Sequence, residues 1–582
     1  MKSHFSLLLA LALSAPAIRA VGDPGTCLVW ARSDTVHVLR DEPAGTVRSV
    51  ALAAARREWE SFQILVRSDS PVKGVNIDPG ELAGPDGAVI RAADAVLYRQ
   101  HQHELTRPTY RNTDFKPGWY PDALIPFCHP LTRRLLGDAL IKAVPFDLSA
   151  NETHGFWVDL LVPADAKPGK YHGTYRVIHE GHAVAAIAVA LTVWDFELPR
   201  VSTLQTAFDS PAARLRGYHA QRAKAGKEPA PQDWTAVDAQ AADEVGRHRI
   251  NATPPAGVLK PQQGSDGTYR FTTQQVDALR TFVDTRHVNA LQTPHPSTAV
   301  KDPTAEREKL HAWLRSFDRL VAELKRPEVT FFTYLKDEPN TEEDYRYVQR
   351  WGRAVREAKS VVKVMVVEQP WTEPGKRGSD RVWGDLFGAV DIWCPLFSLH
   401  RQEEAAKRLA LGETIWAYTA LCQGPPTPWW HIDYPLLNYR VPAWMAWRDQ
   451  MKGLLYWGGM AHWAKVEDPW QQAPYFAGKG VFQQGQQGLV FHGEGSLVYP
   501  ARAVGYDGIA PSVRLKALRD GIEDYEYLAI LERAGLRVEA ERIVRPLTES
   551  FFKWEKDAAA YADARAKLAA MIVEAKLHPL TK

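Results

Sequence analysis

What this sequence lacks narrows its reading before any motif is found. Its 582 residues hold four cysteines, Cys27, Cys128, Cys394 and Cys422, and none of them stand at a metal-ligand spacing. Cys394 and Cys422 lie in apolar, strand-like runs and read as small buried hydrophobes. That leaves Cys27 and Cys128 as the pair available for a disulfide in an oxidising compartment. Charge of one sign is missing too. The 71 basic and 69 acidic residues form no cationic stripe for nucleic acid and no polybasic arm for a membrane surface. Beyond the N-terminus no apolar run approaches the ~20 residues that cross a bilayer, so no membrane insertion is expected. Internal repeats and low-complexity tracts are absent as well. His101-Gln-His103 has the look of a metal pair but no third ligand nearby, and reads as surface polarity of the first domain. No cofactor or metal is expected, and nothing speaks to an oligomeric state.

What is abundant is tryptophan, 20 residues in all, many near the ends of proposed strands. Indole faces stack on the C–H faces of sugars, but they also fill cores, so abundance alone only leans toward a carbohydrate ligand. The first twenty residues carry Lys2 and His4, a short apolar run from Phe5, and an A-x-A-like end at Ala17-Ile-Arg-Ala20. That is the pattern of a secretory signal over 1–20, and it predicts export to the periplasm or beyond. Residues 21–199 show short strands separated by turn signals such as Asp41-Glu-Pro and Lys167-Pro-Gly-Lys, which argue a β-sandwich. The strand candidates are Leu28–Trp30, Thr35–Leu39, Ser61–Val66, Gly155–Val162, Gly173–Ile178 and Val184–Val193.

After Pro199 strand-like runs alternate with helical ones. Eight strands are expected, at Thr203–Phe208, Arg249–Thr253, Val288–Thr293, Thr330–Leu335, Val362–Val367, Val390–Cys394, Thr414–Thr419 and Gly453–Trp457. Eight strand–helix units over 200–510 spell a (β/α)8 TIM-like barrel, whose chemistry sits at the C-terminal ends of its strands. The fourth strand, Thr330-Phe-Phe-Thr-Tyr-Leu, runs into Lys336-Asp-Glu-Pro339, which puts Asp337 and Glu338 on that rim. The competing reading is a solvated turn that caps the next helix. Other strand ends carry Asn251, Glu368, Tyr418 and Trp457, each able to bind substrate or to serve packing. The loop after the seventh strand, with Trp429, Trp430 and Tyr434, is stiffened by prolines and suited to wall a pocket. Residues 511–582 are amphipathic and helical, and are expected to pack on the barrel.

Four stretches resemble glycoside hydrolase family 123 and its uncharacterised bacterial kindred. They are Arg57-Glu-Trp-Glu-Ser-Phe-Gln63, Tyr334-Leu-Lys-Asp-Glu-Pro339, the span from Ile432-Asp-Tyr-Pro435 to Leu455-Tyr-Trp457, and Ser512-Val-Arg-Leu-Lys-Ala-Leu-Arg-Asp-Gly-Ile-Glu-Asp-Tyr-Glu-Tyr-Leu528. The resemblance implies a sandwich followed by a catalytic barrel, and a β-N-acetylgalactosaminidase-like activity with an Asp-Glu pair at Asp337 and Glu338. The chemistry agrees. Conventional glycosidases place two carboxylates on opposite sides of the scissile bond, roughly 5 Å apart or more. Neighbours on one strand end suit a retaining, substrate-assisted route instead. There the 2-acetamido oxygen of the sugar is the nucleophile, Asp337 orients its N–H, and Glu338 protonates the leaving oxygen. The alternatives are a glycosidase for another sugar with Glu368 as nucleophile, and a non-catalytic carbohydrate-binding protein.

Overall fold

The computed structural model describes residues 27–371, 383–463, 466–478 and 489–577; the expected signal over 1–20 lies outside them. The N-terminal region is built of two sheets. One is ordered β1-β3-β8-β5-β6, from Leu28–Ser33 (β1), Trp59–Arg67 (β3), Ala95–Leu105 (β5), Gly118–Pro126 (β6) and Thr153–Leu161 (β8). The other runs β2-β10-β9-β4-β7, from Ser49–Arg56 (β2), Val72–Asp78 (β4), Phe146–Leu148 (β7), Gly169–His179 (β9) and His182–Glu197 (β10), with one short strand beside β9 and a second paired to it. Phe62, Ile64, Val66, Phe156, Val158 and Leu160 of the first sheet meet Val75, Ile77, Tyr175 and Ile187 of the second in one core. Residues 35–39 form no strand; Val38 is instead tucked against Trp30. Cys27 and Cys128 are both free thiols, so the pair read as a disulfide is not one here.

Along β8 every residue from Thr153 to Leu160 is buried, which ordinary alternation does not produce. Both faces of the sheet are covered. Phe156, Val158 and Leu160 face the sandwich core, while Trp157 belongs to the large core of the rest of the molecule. What covers that second face is Val513–Arg533, helix α8. The other helices are α1 (Ala212–Lys224), α2 (Trp234–Arg247), α3 (Thr273–Arg286), α4 (Arg307–Leu324), α5 (Glu342–Glu357), α6 (Gln402–Leu409), α7 (Leu437–Arg448), α9 (Arg537–Val544) and α10 (Ala558–Leu577). Helix α8 therefore does more than pack on the barrel: it fills the seam between the two halves. Gly521 marks the tightest point, since a Cβ there would stand 2.5 Å from the Arg440 carbonyl of α7.

The seam is held by ion pairs as well as by packing. Asp122 accepts from Arg514 at 2.7 and 2.8 Å, and Asp159 accepts from Lys516 and Arg519 at 2.7 Å each. Glu523 meets Arg249 at 2.9 Å, Asp524 meets Arg440 at 2.6 Å, and Glu58 meets Arg565 at 2.5 Å. His101 and His103, read as surface polarity, lie inward of this region: His103 is buried and stacked on Tyr499, and His101 packs against Trp470.

The central sheet is parallel and nearly closed. Its order is β11-β17-β16-β15-β14-β13-β12, from Gln205–Ala207 (β11), Ala290–Gln292 (β12), Thr330–Lys336 (β13), Lys363–Val366 (β14), Ile392–Trp393 (β15), Thr414–Tyr418 (β16) and Gly453–Leu455 (β17). Seven of the eight expected strands are present. The exception, Arg249–Thr253, joins no ladder, and the reason is chemical. Asn251 occupies the gap between the two edge strands and makes side-chain bonds where a strand would make main-chain ones. Its amide donates to Thr206 O at 3.0 Å and to Asn289 Oδ1 at 2.8 Å, and its own carbonyl accepts from Asn289 N at 3.0 Å. Phe332, Met365, Ile392, Trp416 and Leu455 fill the interior.

Candidate active site

Strand β13 delivers the acidic pair. Its register with β14 shifts between Tyr334 and Lys336, which re-aims the chain just before the carboxylates. Glu338 then adopts a φ of 37°, a left-handed backbone that is uncommon for a residue with a Cβ. Pro339 follows, and Thr341 caps helix α5 by accepting from Asp344 N. The capping reading of this turn is thus correct for Thr341 and leaves Asp337 and Glu338 free for other work. The neighbouring cation is turned aside, with Lys336 Nζ 2.6 Å from Asp344.

Each carboxylate of the pair is held by a tyrosine. Tyr334 OH donates to Asp337 Oδ1 at 2.8 Å, and Tyr418 OH, from the end of β16, donates to Glu338 Oε1. Both phenols are pushed well above their ordinary range, chiefly by burial, so they remain donors. Burial raises the Glu338 acid above its usual value and the charge of Asp337 raises it further, while the Tyr418 bond pulls it back. Asp337 itself is exposed on the rim.

Beside the pair a cleft of about 380 Å³ opens at the ends of β11, the Asn251 segment and β12, with Phe208, Asp209, Asn251, Thr253, Thr293 and Phe332 among its walls. Asp337 and Glu338 flank this cleft and do not line it. Asp209 links the two: burial raises its acid, Arg214 lowers it, and Asp337 raises it again. It stands on a left-handed φ of 56° and makes no hydrogen bond among the described residues.

The other expected residues fall into two groups. Tyr418 and Trp457 stand with Tyr334 at the interior face of the barrel, Trp457 half-buried with its indole N–H 2.5 Å from Glu494. Asn251 reaches the cleft wall, although its side-chain amide is engaged in closing the sheet. Trp429 and Trp430 are packed inside the molecule, with 0% and 1% exposure. Their N–H groups donate to Ala420 O and Asn438 O, and Trp430 stacks on Tyr439, so these two rings offer no open face to a sugar. Tyr434 packs against Trp429 and is 7% exposed. A proline-stiff loop this apolar folds onto itself, because burying an indole is worth more than presenting it. Glu368 is 5% exposed and bonds Gln369 N and the Tyr345 hydroxyl of α5, in the layer outside the strands.

Sequence reasoning passed over Tyr334 and Asp209. Tyr334 lies three residues before Asp337, the spacing that lets its hydroxyl reach back to that carboxylate. Asp209, in Phe208-Asp-Ser-Pro211, repeats the grammar of an apolar strand ending in acid and proline.

Two family models match the chain in sequence. Residues 255–531 match the model described as "Glycoside hydrolase 123, catalytic domain", and residues 30–179 match "Glycoside hydrolase 123 N-terminal domain". Together the two spans take in most of the chain. It belongs to glycoside hydrolase family 123. Asp337 and Glu338 lie within the catalytic span, whereas Asp209 and Asn251 precede it. Among solved structures the chain is similar to a family 123 glycoside hydrolase from Clostridium perfringens, described in work on glycolipid glycan hydrolysis. The identity is 14% and the TM-score 0.62, over 94% of this chain and 97% of that one. At that identity the likeness speaks for the fold. A family 39 glycoside hydrolase from Bacteroides cellulosilyticus WH2 aligns over 84% of this chain and 82% of its own at 8% identity, with a TM-score of 0.31 that carries no argument. No curated protein matches the chain.

Of the four stretches that carry the resemblance, two meet at the seam. Trp59 N donates to Glu523, Arg519 to Ser61 Oγ, and Tyr527 OH to Glu58. A third reaches both places, with Arg440 against Asp524 at the seam and Trp457 at the barrel mouth, and the fourth carries the acidic pair. Family 123 identity is therefore written in two places with different physical work to do.

Proposed function

We propose that this family 123 glycoside hydrolase is an exported, retaining exo-glycosidase that cleaves β-linked N-acetylhexosaminides, with N-acetylgalactosamine as the expected sugar, by substrate-assisted catalysis. The observation that carries the reading is the arrangement of Asp337 and Glu338: sequence neighbours on one lip of the mouth, each fixed by its own tyrosine. Two such groups cannot flank a glycosidic bond from opposite sides. They can serve one sugar whose acetamido oxygen attacks its own anomeric carbon. Asp337, exposed and oriented by Tyr334, accepts from the acetamido N–H and stabilises the positive charge that grows on the oxazolinium ring. Glu338, its acid raised by burial and by Asp337, donates its proton to the leaving oxygen and then takes one from the attacking water. Export is supported by the signal-like first twenty residues.

A second reading has Asp209 in its favour. A carboxylate that lines the cleft and feels the charge of Asp337 is a candidate protein nucleophile; Glu368, bonded to Tyr345, is poorly turned for that role. A panel of p-nitrophenyl glycosides separates these. Substrate assistance predicts turnover of N-acetylated sugars and none of their 2-hydroxyl counterparts, with Asp209→Asn still active and no sugar bonded covalently to the protein. Turnover of plain galactosides or glucosides that is lost in Asp209→Asn would favour the protein nucleophile, and silence across the panel a binding protein.

A further inference from the structure

Trp457 is anchored from behind. Its indole N–H donates to Oε1 of Glu494 at 2.5 Å, and Glu494 is 1% exposed. The second carboxyl oxygen lies 3.5 Å from Nδ1 of His431, which is fully enclosed. Glu494 belongs to none of the barrel strands; it sits on the turn Gly493-Glu494-Gly495. That turn is fixed from two sides. Gly495 N–H donates to Tyr456 OH at 2.8 Å, and Arg514 of α8 donates to Gly493 O at 3.2 Å. Arg514 is in turn clamped by Asp122 of β6. A Cβ at Gly493 would stand 2.8 Å from the Arg514 guanidinium and 2.7 Å from Ile432, at a φ of 79°, so the turn is built for close approach. A chain of contacts thus runs from the first sandwich sheet through α8 to the ring at the barrel mouth.

We infer that Glu494 is a positioning residue for Trp457, holding the indole at the angle at which it stacks on the bound sugar. The inference rests on the reading of the barrel mouth as the glycan site. A buried acceptor on the N–H fixes the ring plane about its last side-chain torsion, which packing alone leaves broad. The site also suits a neutral acid. Burial pushes the Glu494 acid up to about 8, against the opposing pull of the Trp457 N–H and Arg514, and burial holds His431 below its usual range.

The test uses the full chain and an aryl N-acetylgalactosaminide. Glu494→Ala is expected to raise KM about tenfold with kcat changed far less, the worth of one buried hydrogen bond. Glu494→Gln, which keeps a carbonyl acceptor, recovers most of that loss. Trp457→Phe removes the same bond from the other end, so it matches Glu494→Ala, and the double variant is no worse than either; it also serves if Glu494→Ala does not fold. The emission of Trp457, taken as the difference between each protein and its Trp457→Phe partner, shifts in Glu494→Ala and stays in Glu494→Gln. Trp457→Ala tests the underlying reading: if its KM is unchanged, the ring is no sugar platform, whatever Glu494 does. If Trp457→Ala raises KM but Glu494→Ala does not, or if Glu494→Gln is as damaged as Glu494→Ala, the positioning role is overturned.

Discussion

At the seam, Asp122, Asp159, Glu523 and Asp524 each meet a guanidinium or ammonium group at 2.6 to 2.9 Å. At the barrel mouth, Asp337 and Glu338 meet tyrosine hydroxyls and no cation among the described residues. Both regions carry family stretches and acids with hydrogen-bonded partners, and both join distant parts of the chain. The partners set them apart. Burial alone would raise the Asp159 acid, but Arg519 and Lys516 hold it well below the usual carboxylate range. Such a group is ionised in the folded and the unfolded chain alike near neutral pH and takes no part in proton exchange. Glu338 has no such partner; burial and Asp337 raise it, and a neutral phenol returns only part of that. A carboxyl poised in this way can exchange a proton during turnover. A motif shared across a family does not reveal which kind of carboxylate it contains; the charge of the partner does.

The comparison is most sharply tested by exchanging one acid in each region for its amide. Glu338→Gln is expected to lower turnover of a substrate with a poor leaving group by roughly two to four orders of magnitude, with thermal unfolding unchanged. Asp159→Asn should do the reverse. It leaves Lys516 buried without its counter-charge and Arg519 with only Asp520 and Glu523 beside it, which costs about 3–5 kcal/mol of stability in urea titration, while the KM of the folded fraction holds. An Asp159→Asn protein as stable as the parent would remove the basis for calling the seam structural. The sign with pH follows from the depressed acid. The contribution of Asp159 is complete above its unfolded value of ~3.9 and is lost as pH falls below that toward the folded value, so the gap between parent and variant narrows in acid.

A smaller effect probes the mouth. The alkaline limb of kcat/KM reports loss of the Glu338 proton. Tyr418→Phe removes a bond that favours the ionised form, so the limb moves to higher pH. Asp337→Asn removes a charge that disfavours it, so the limb of the residual activity moves lower. Shifts in the same direction would mean that the two neighbours do not act on Glu338 as their geometry implies.

Much of this was legible in the sequence, for reasons that differ along the chain. The run Thr330–Leu335 announced a buried strand, and Pro339 announced where it had to stop; β13 and its acidic pair fall where these signals put them. The second barrel strand failed because its role is played by one amide side chain: Arg249–Thr253 has a strand's composition, and nothing local says that Asn251 will replace the ladder. Trp429 and Trp430 were misread because an aromatic loop looks the same whether its rings face a ligand or each other. Asp209 and Glu494 were missed because their importance lies in what the fold brings beside them, Asp337 in one case and Trp457 in the other.

The account's central claim is a division of labour within the pair, and leaving-group dependence measures it most directly. Turnover by Glu338→Gln and Asp337→Asn would be followed on aryl N-acetylgalactosaminides of increasing phenol acidity. Glu338→Gln lacks only the proton donor, so its defect should shrink as the phenol becomes able to leave unprotonated. Asp337→Asn lacks the group that steadies the oxazolinium charge, so its defect should persist across the whole series. Two variants that respond alike to leaving-group acidity would contradict the assignment.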